Sequence, residues 1–520
     1  MNEVCKVFGK ILIANRGEIA VRLIRTLRDM GIGSVAIYSE VDRKALHVQM
    51  ADEAVCIGPP EPTRSYLDHT AIIRAARTSG VEAIHPGYGF LAENPDFAKK
   101  CTDAGITFIG PGHEEIRFLG NKLKSREKVT EAGIPIIPGM VGEAVKSSTL
   151  LEEAEKIGFP VMIKAASGGG GKGMRVIQDG EALKEAFEGA MREADFAFGD
   201  SSVYLEKYIQ EPRHIEFQIL ADHYGNIVHL FERECSIQRR HQKIVEESPS
   251  AALNEEKRRE MARAAVDVVR AVGYRNAGTV EFLVDGEGRF YFLEVNTRLQ
   301  VEHPVTELIA GVDLVKEQIK ISAGLPLDLS QEDLTPHGHV IECRIYAEDP
   351  ENDFLPSFGK VGFLREPEGI GVRVDSGMYS GCDVPMYYDP ILSKVIVWGQ
   401  DRETARKRMK RALLEYRVLG IKTTIDFLTD LMDDPDFAKG LTTTETIPRF
   451  LPSWKETKAR RLHLREALIA AAIDQKRDER SKARGESHPP VYQSPWERFN
   501  GWRILGSSPE GAEKSSGGRE

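Results

Sequence analysis

The residues that could do chemistry concentrate between Thr279 and His303, in T-V-E-F-L-V-D-G-E-G-R-F-Y-F-L-E-V-N-T-R-L-Q-V-E-H. Thr279–Val284 and Arg289–Val295 are rich in strand formers, and D-G-E-G between them is turn chemistry, so the segment begins as a β-hairpin. An even-numbered turn puts Glu281 and Glu294 on one sheet face as diagonal neighbours, close enough to share a cation. Beyond Glu294 the polar residues keep a period of two: Asn296, Arg298, Gln300, Glu302. A chain that stays extended shows this whole row on one side. Acids, an amide and an arginine converging on one face are costly unless a metal and an anionic substrate sit there. The plainer reading is a solvated face of an antiparallel sheet.

Three further stretches carry chemical potential. Ser167–Met174 (S-G-G-G-G-K-G-M) lies between two apolar strands, Gly158–Ala165, which ends near Lys164, and Arg175–Ile177. Glycines there let backbone N–H groups approach phosphates. The order is not that of a Walker A loop, because Gly173 follows Lys172. A flexible linker is the alternative. Val203–Ile209 (V-Y-L-E-K-Y-I) is a strand with Glu206 and Lys207 inside it, suited to the edge and faces of a nucleotide base or equally to a half-exposed edge strand. Ser236–Pro249 holds Arg239, Arg240, His241 and Lys243, either a solvated loop or an anion clamp in an otherwise acidic chain.

These residues need a scaffold, and the chain is long enough for three or four subdomains. It has 520 residues, 41% hydrophobic and 29% charged, as in soluble globular proteins. A formal net charge of −10 argues against a general nucleic-acid surface. Six cysteines without C-x-x-C spacing suggest neither a zinc site nor a disulfide framework and fit a cytoplasmic setting. No apolar run is long enough to span a membrane. The N-terminal third alternates short strands (Lys10–Ala14, Ser34–Ser39, Ala83–His85, Thr107–Ile109) with helices (Ile19–Met30, Leu67–Ser79, Asn94–Ala104), the signature of a parallel α/β sheet. It lacks G-x-G-x-x-G, which weakens a nicotinamide-dehydrogenase reading. H-P-G-Y-G-F-L-A-E-N (His85–Asn94) follows a strand's C-terminal end, where open α/β sheets place their sites. Ile134–Gly139, with two prolines, breaks the pattern. Hairpins, the amphipathic helix Glu255–Val272 and the strand His339–Pro350, with Glu342, Arg344 and Tyr346 on one face, follow. After about Leu451 comes a tail: a helix over Arg460–Gln475, a disordered-looking Lys476–Pro490, and the aromatic run Ser494–Gly506. Trp454, Trp496 and Trp502 make this tail a partner-docking candidate, or let it fold back on the body.

The ordered set I-A-N-R-G-E-I-A (Ile13–Ala20), H-P-G-Y-G-F-L-A-E-N, F-P-V-M-I-K-A, S-G-G-G-G-K-G-M, C-S-I-Q-R-R-H-Q-K and E-V-N-T-R-L-Q-V-E-H-P-V-T-E (Glu294–Glu307) resembles biotin carboxylase over about Lys6 to Leu451. The resemblance implies a multidomain α/β and α+β fold. Its parts are an N-terminal open parallel sheet (1–120), an ATP-grasp domain with a mobile glycine-rich lid (121–325, lid about 137–207) and a β-rich C-terminal domain (326–451), before the tail 452–520. It also implies the reaction of ATP, bicarbonate and biotin to give ADP, phosphate and carboxybiotin.

By that resemblance Lys122, Lys164 and Gly168, Gly169, Gly170 and Gly171 would hold phosphates. Glu206, Lys207 and Ile209 would hold adenine, with His214, Gln238 and His241 near the ribose. Glu281, Glu294 and Asn296 would bind two magnesium or manganese ions. Lys243, Arg298, Gln300 and Val301 would fix bicarbonate, Glu302 would be its base, and Arg344 would stabilise the biotin enolate. The chain has no A-M-K-M biotin-acceptor motif; Met409-Lys410 lies in a basic helix. Biotin would therefore arrive on a separate carrier protein, with the carboxyltransferase on a third chain, and a homodimer is implied. Lys172 stands where some relatives carry arginine. The alternative is another ATP-grasp ligase forming an acyl phosphate, such as a carbamoyl-phosphate or purine-pathway enzyme. R-L-Q-V-E-H with Arg344 argues against it. A non-catalytic scaffold is disfavoured because Lys122, Lys164, Lys243, Glu281, Glu294, Arg298, Glu302 and Arg344 are all present.

Overall fold

The computed structural model describes residues 7–140, 149–166 and 174–485. The glycines Gly168–Gly171, Lys172 and the aromatic run 494–506 lie outside the described residues. The chain divides into one compact unit through Lys455 and a second from Glu456.

The expected N-terminal parallel sheet has five strands, in the order Glu53–Gly58, Gly33–Ser39, Lys10–Ile13, Ala83–His85, Thr107–Phe108. Glu53–Gly58 (E-A-V-C-I-G) escapes the sequence reading although it carries the apolar run Ala54–Ile57; it is a half-exposed edge strand. The helix Gly17–Asp29 buries Ile19, Leu23, Ile24 and Leu27 against this sheet.

The larger scaffold is one antiparallel sheet of eight strands. Its order is Phe290–Asn296, Asn276–Val284, Arg213–Ala221, Ile227–Arg239, Gln242–Ser248, His339–Tyr346, Ile391–Gly399, Val372–Ser376. Alternation decides what each face does. Ile215, Phe217, Ile219, Val280 and Phe282 join one core with Met261, Ala262, Ala265, Val268 and Val269 of the helix Glu255–Val272. That helix is closed by an Asn254 side chain accepting from Lys257 N–H and by Gly273 at φ 64°. The intervening residues His214, Glu216, Gln218 and Glu281 therefore point to the opposite face.

One alternative and one expectation fail here. The basic stretch Ser236–Pro249, weighed as a solvated loop or an anion clamp, is not a loop: Ser236–Arg239 ends one strand and Gln242–Ser248 forms the next, with Gln238 opposite Lys243. Only Arg240 and His241 form the turn, both at positive φ (49° and 65°). The extended path through Glu302 also fails. The strand ends at Asn296, and Glu302 is the N-cap residue of the helix His303–Ala310. Pro304 near that helix start fixes φ and stops continued strand pairing.

A third sheet, Arg175–Ile177, Val161–Ala165, Val203–Lys207, packs against the helices Leu150–Ile157 and Leu183–Phe198. The proline-bearing segment joins it to the large sheet. Phe292 N–H donates to Pro135 O at 2.7 Å, and Gly139 bridges Glu206. A Cβ on Gly139 would lie 2.6 Å from Leu205 O, so only glycine permits this approach.

The helix Thr446–Gly485 replaces the expected break: Lys476–Gly485 continues it instead of being disordered. Trp454 belongs to the first unit's core rather than to a docking tail. Its ring packs on Phe427 and its Nε1 donates to Asp430 at 2.8 Å. Leu468, Ile469 and Ile473 are exposed.

Candidate active site

A cavity of about 580 Å³ opens over the polar face of the large sheet, and every predicted site residue within the described part lines it. Lys122, Lys164, Glu206, Lys207, Ile209, His214, Gln238, His241, Lys243, Glu281, Glu294, Asn296, Arg298, Gln300, Val301, Glu302 and Arg344 all reach it from separate elements. Apolar Ile137, Met162, Met174, Leu283 and Leu293 share the lining.

The hairpin Asn276–Asn296 is built differently from the simple pattern. Val284 pairs with Phe290, leaving a five-residue loop, and Phe282 pairs with Phe292. That register alone would place Glu281 opposite Leu293. A one-residue irregularity at Leu293 shifts the pairing so that Glu281 faces Glu294 directly. The two carboxylates are thus cross-strand partners, not the diagonal neighbours expected. The irregularity corrects the parity that an odd loop would have broken.

Lys243 lies at the centre of the charge cluster. Its Nζ donates to Glu216 at 2.5 Å, Glu302 Oε1 at 2.7 Å and Glu281 Oε1 at 2.8 Å. Burial alone would lower its pKa, but Glu216, Glu281 and Glu302 raise it well above the ordinary lysine value. Glu302 is buried too, which would raise its carboxyl. Lys243, Arg344 and Arg233 outweigh burial and hold it well below the carboxylate range. Glu281 is likewise lowered, against burial, by Lys243 and His214. Arg344 joins Glu302 Oε2 (2.9 Å) to Glu246 Oε1 (2.6 Å). Behind them Arg233, fully buried, bonds Glu216, Gln218, Thr279 and Thr306.

Arg298 reaches across to the N-terminal sheet. Its Nε lies 2.9 Å from Glu93 Oε2, while Nη1 donates to Gln300 at 2.8 Å and Nη2 to Asn296 at 3.2 Å. The Val301 carbonyl accepts from Lys394 at 2.8 Å. On the nucleotide-candidate side Lys122 pairs with Glu294 at 2.8 Å, and Lys164 pairs with Glu206, which Arg126 also meets at 3.2 Å. Lys207 lines the cavity, but its ammonium binds the Gly158 and Phe159 carbonyls. Burial, then Lys164, lowers the His241 pKa.

Sequence reasoning misses Glu93, Arg233, Glu216 and Glu246. Glu216 was within reach: H-I-E-F-Q-I alternates polar and apolar strictly, which marks a strand with a polar face. Glu93 lies inside the motif His85–Asn94 that the sequence places at a site-bearing strand end, but its partner Arg298 is 205 residues away and the pairing is not readable.

Glu281, Glu294 and the Asn296 amide offer hard oxygen ligands of the kind that suit magnesium. Asn296 Nδ2 already donates to Glu281 Oε1 at 2.8 Å, so these side chains are adjacent. His214, Glu216 and Glu281 also bring ligand atoms within 4.8 Å of one another. The donor set fits a divalent cation beside phosphates. Among the described residues no helix is long and apolar enough to cross a membrane.

Known families and proteins match this arrangement in order along the chain. The model for the biotin carboxylase N-terminal domain matches residues 7–116. The model for the carbamoyl-phosphate synthase L chain ATP-binding domain matches 121–330, and that for the biotin carboxylase C-terminal domain matches 342–449. Biotin carboxylase of Nostoc sp. is 53% identical over 440 residues, covering 85% of this chain and 98% of that one. The methylcrotonoyl-CoA carboxylase subunit alpha of Dictyostelium discoideum is 48% identical over 500 residues, covering 96% of this chain and 71% of its own. The biotin carboxylase domain dimer of Hydrogenobacter thermophilus 2-oxoglutarate carboxylase, solved with MgADP, ADP and bicarbonate, superposes with a TM-score of 0.83. It is 48% identical and covers 85% of this chain and 97% of that domain. With the ordered motifs, the scaffold of three sheets and the Lys243–Glu302–Arg344 cluster in one cavity, the chain belongs to the biotin carboxylase family.

Proposed function

We propose that this chain carboxylates biotin, carried on a separate protein, using ATP and bicarbonate. The observation that carries this reading is one cavity holding two functional ends. Lys122, Lys164 and Glu206 stand with apolar side chains suited to a nucleotide, and Lys243, Arg298, Glu302 and Arg344 form a charged pocket suited to a small anion.

The residues divide the work. Lys122 and Lys164 neutralise the phosphates, and Glu206, Lys207 and Ile209 hold the base, with His214, Gln238 and His241 beside the ribose. The glycines Gly168–Gly171 approach the phosphates. Lys243, Arg298, Gln300 and the Val301 backbone seat bicarbonate. Glu302, kept ionised by Lys243 and Arg344, takes the bicarbonate proton as its oxygen attacks the γ-phosphate. The products of that step are ADP and carboxyphosphate. Carboxyphosphate releases CO2 and leaves a phosphate that removes the biotin ring proton. Arg344 stabilises the enolate that then adds to CO2. Magnesium, or manganese, bound by Glu281, Glu294 and Asn296 supplies charge neutralisation across the phosphates.

The carrier and the carboxyltransferase are separate chains in this reading, and the tail after Lys455 docks one of them. The related dimer supports a homodimer, and the five described cysteines, all free, fit the cytoplasm. The test is ATP hydrolysis with and without bicarbonate and free biotin, alongside transfer of labelled bicarbonate to biotin. Hydrolysis that ignores both additions overturns the assignment.

A further inference from the structure

Behind Arg344 the sheet places two acids face to face. Glu246 and Glu342 are directly paired across the strands Gln242–Ser248 and His339–Tyr346. Such partners hold their Cβ atoms about 5 Å apart. Both side chains are fully buried. Glu246 Oε1 accepts from Arg344, but its Oε2 has no hydrogen-bond partner among the described residues, and neither oxygen of Glu342 has one. The two nearest cations are engaged elsewhere. Arg344 is divided between Glu246 and Glu302. Lys394, one strand further on, is bound to the Val301 carbonyl at 2.8 Å and lies 3.3 Å from Glu18. The charged groups facing Glu342 are thus Glu246 on one neighbouring strand, Lys394 on the other, Arg344 on its own strand and Glu302 at the start of the helix beyond.

Two buried carboxylates opposite one another do not both ionise. An unpaired buried carboxylate is also the costliest state available to Glu342. We propose that Glu246 and Glu342 hold one proton between them, carried mainly by Glu342, and that this acid pair positions Arg344 and sets how much of its charge is left for an anion in the cavity. Burial, which raises both carboxyls, Glu246 to about 7, agrees with this. A neutral Glu342 leaves Glu246 as the one negative charge of the pair. The guanidinium then remains shared chiefly with Glu302 and with the incoming anion. An ionised Glu342 would add a second negative charge behind Arg344 and mute it. The proposal rests on Arg344 serving the biotin anion. Glu342 touches no substrate, so it is a positioning residue.

The experiment compares infrared spectra and pH–rate profiles of the wild type, Glu342→Gln and Glu246→Gln. At neutral pH the wild type should show a protonated-carboxyl band that Glu342→Gln removes. Glutamine keeps a neutral donor, so turnover near neutrality should stay within about threefold. Its loss at alkaline pH should begin at higher pH than in the wild type. In Glu246→Gln the band should persist but titrate away at lower pH, because the opposing charge is gone; this comparison stands if Glu342→Gln does not fold. Absence of the band in the wild type, or an alkaline limb unmoved by Glu342→Gln, overturns the proposal. The infrared result stands whatever the chain carboxylates, so its failure is distinct from failure of the assigned reaction.

Discussion

The Lys243 ammonium lies 2.7 Å from Oε1 of Glu302, and the same carboxylate presents Oε2 to Arg344 at 2.9 Å. The Glu302 carboxylate is therefore clamped between two cations that belong to different strands of the large sheet. The clamp keeps Glu302 ionised. In the proposed reaction it would also make Glu302 a weak base, so that proton transfer would have to accompany attack by bicarbonate. The clamp also means that each of the three residues has a distinct mutational signature.

Glu302→Gln keeps the shape and loses the charge. Bicarbonate-dependent ATP hydrolysis should fall by ~10²–10⁴, the usual range for a removed acid–base group. Nucleotide affinity, measured by calorimetry, should hold, because Lys122, Lys164 and Glu206 are untouched. Full ATPase in this variant would remove Glu302 from the mechanism.

Lys243→Met strands three carboxylates at once: Glu216, Glu281 and Glu302. Removing one partner of a buried ion pair costs about 3–5 kcal/mol. The variant should unfold at clearly lower denaturant concentration as well as lose turnover. A variant with unchanged stability would show that the cluster is solvated rather than buried.

Arg344→Lys keeps a positive charge but cannot bridge Glu246 and Glu302 as a guanidinium does. Biotin-stimulated turnover should drop about 10²-fold, while the basal hydrolysis seen with bicarbonate alone should fall far less. Equal loss of both activities would place Arg344 in the bicarbonate step instead.

Much of this site is legible in residue types. Spacing and resemblance together single out Glu281, Glu294, Arg298 and Glu302, and the cavity gathers them. The geometry behind the spacing is not legible. The period of two beyond Asn296 is a coincidence of a chain that turns into a helix at His303. The Glu281–Glu294 facing depends on an irregularity at Leu293 that no local residue announces. The contacts of Glu93 and Arg233 stay hidden because their partners come from other elements, and a one-dimensional pattern carries no information about such contacts. The inner strands of the parallel sheet are readable as apolar runs; the half-exposed edge strand Glu53–Gly58 carries one too, Ala54–Ile57, and is passed over.

Glu247 offers a pH test away from the cavity. Burial would raise its carboxyl, but the His339 hydrogen bond and Arg402 bring it down to about 2 from an ordinary 4.5. A depressed carboxyl contributes stability that is present above the unfolded value and lost as pH falls through the folded one. The contribution is of order 3 kcal/mol. Glu247→Gln should therefore narrow the stability difference between neutral pH and the acid side of pH 4.5. Denaturant midpoints at both pH values measure it. Parallel losses in the wild type and the variant would refute the assignment.

Trp454 marks where the first unit's packing ends. Its indole is buried against Phe427, with ring centroids 5.2 Å apart, and is anchored on Asp430. Truncation after Lys455 keeps this ring, the last buried one among the described residues, so biotin-stimulated ATP hydrolysis should survive it. The exposed Leu468, Ile469 and Ile473 are removed, and with them an apolar surface suited to a partner. Of two pull-downs, one with the carrier chain and one with the carboxyltransferase chain, at least one should then lose its capture. Equal capture of both partners by the truncated and full-length chains would show that the tail is not the docking element and that assembly runs through the first unit.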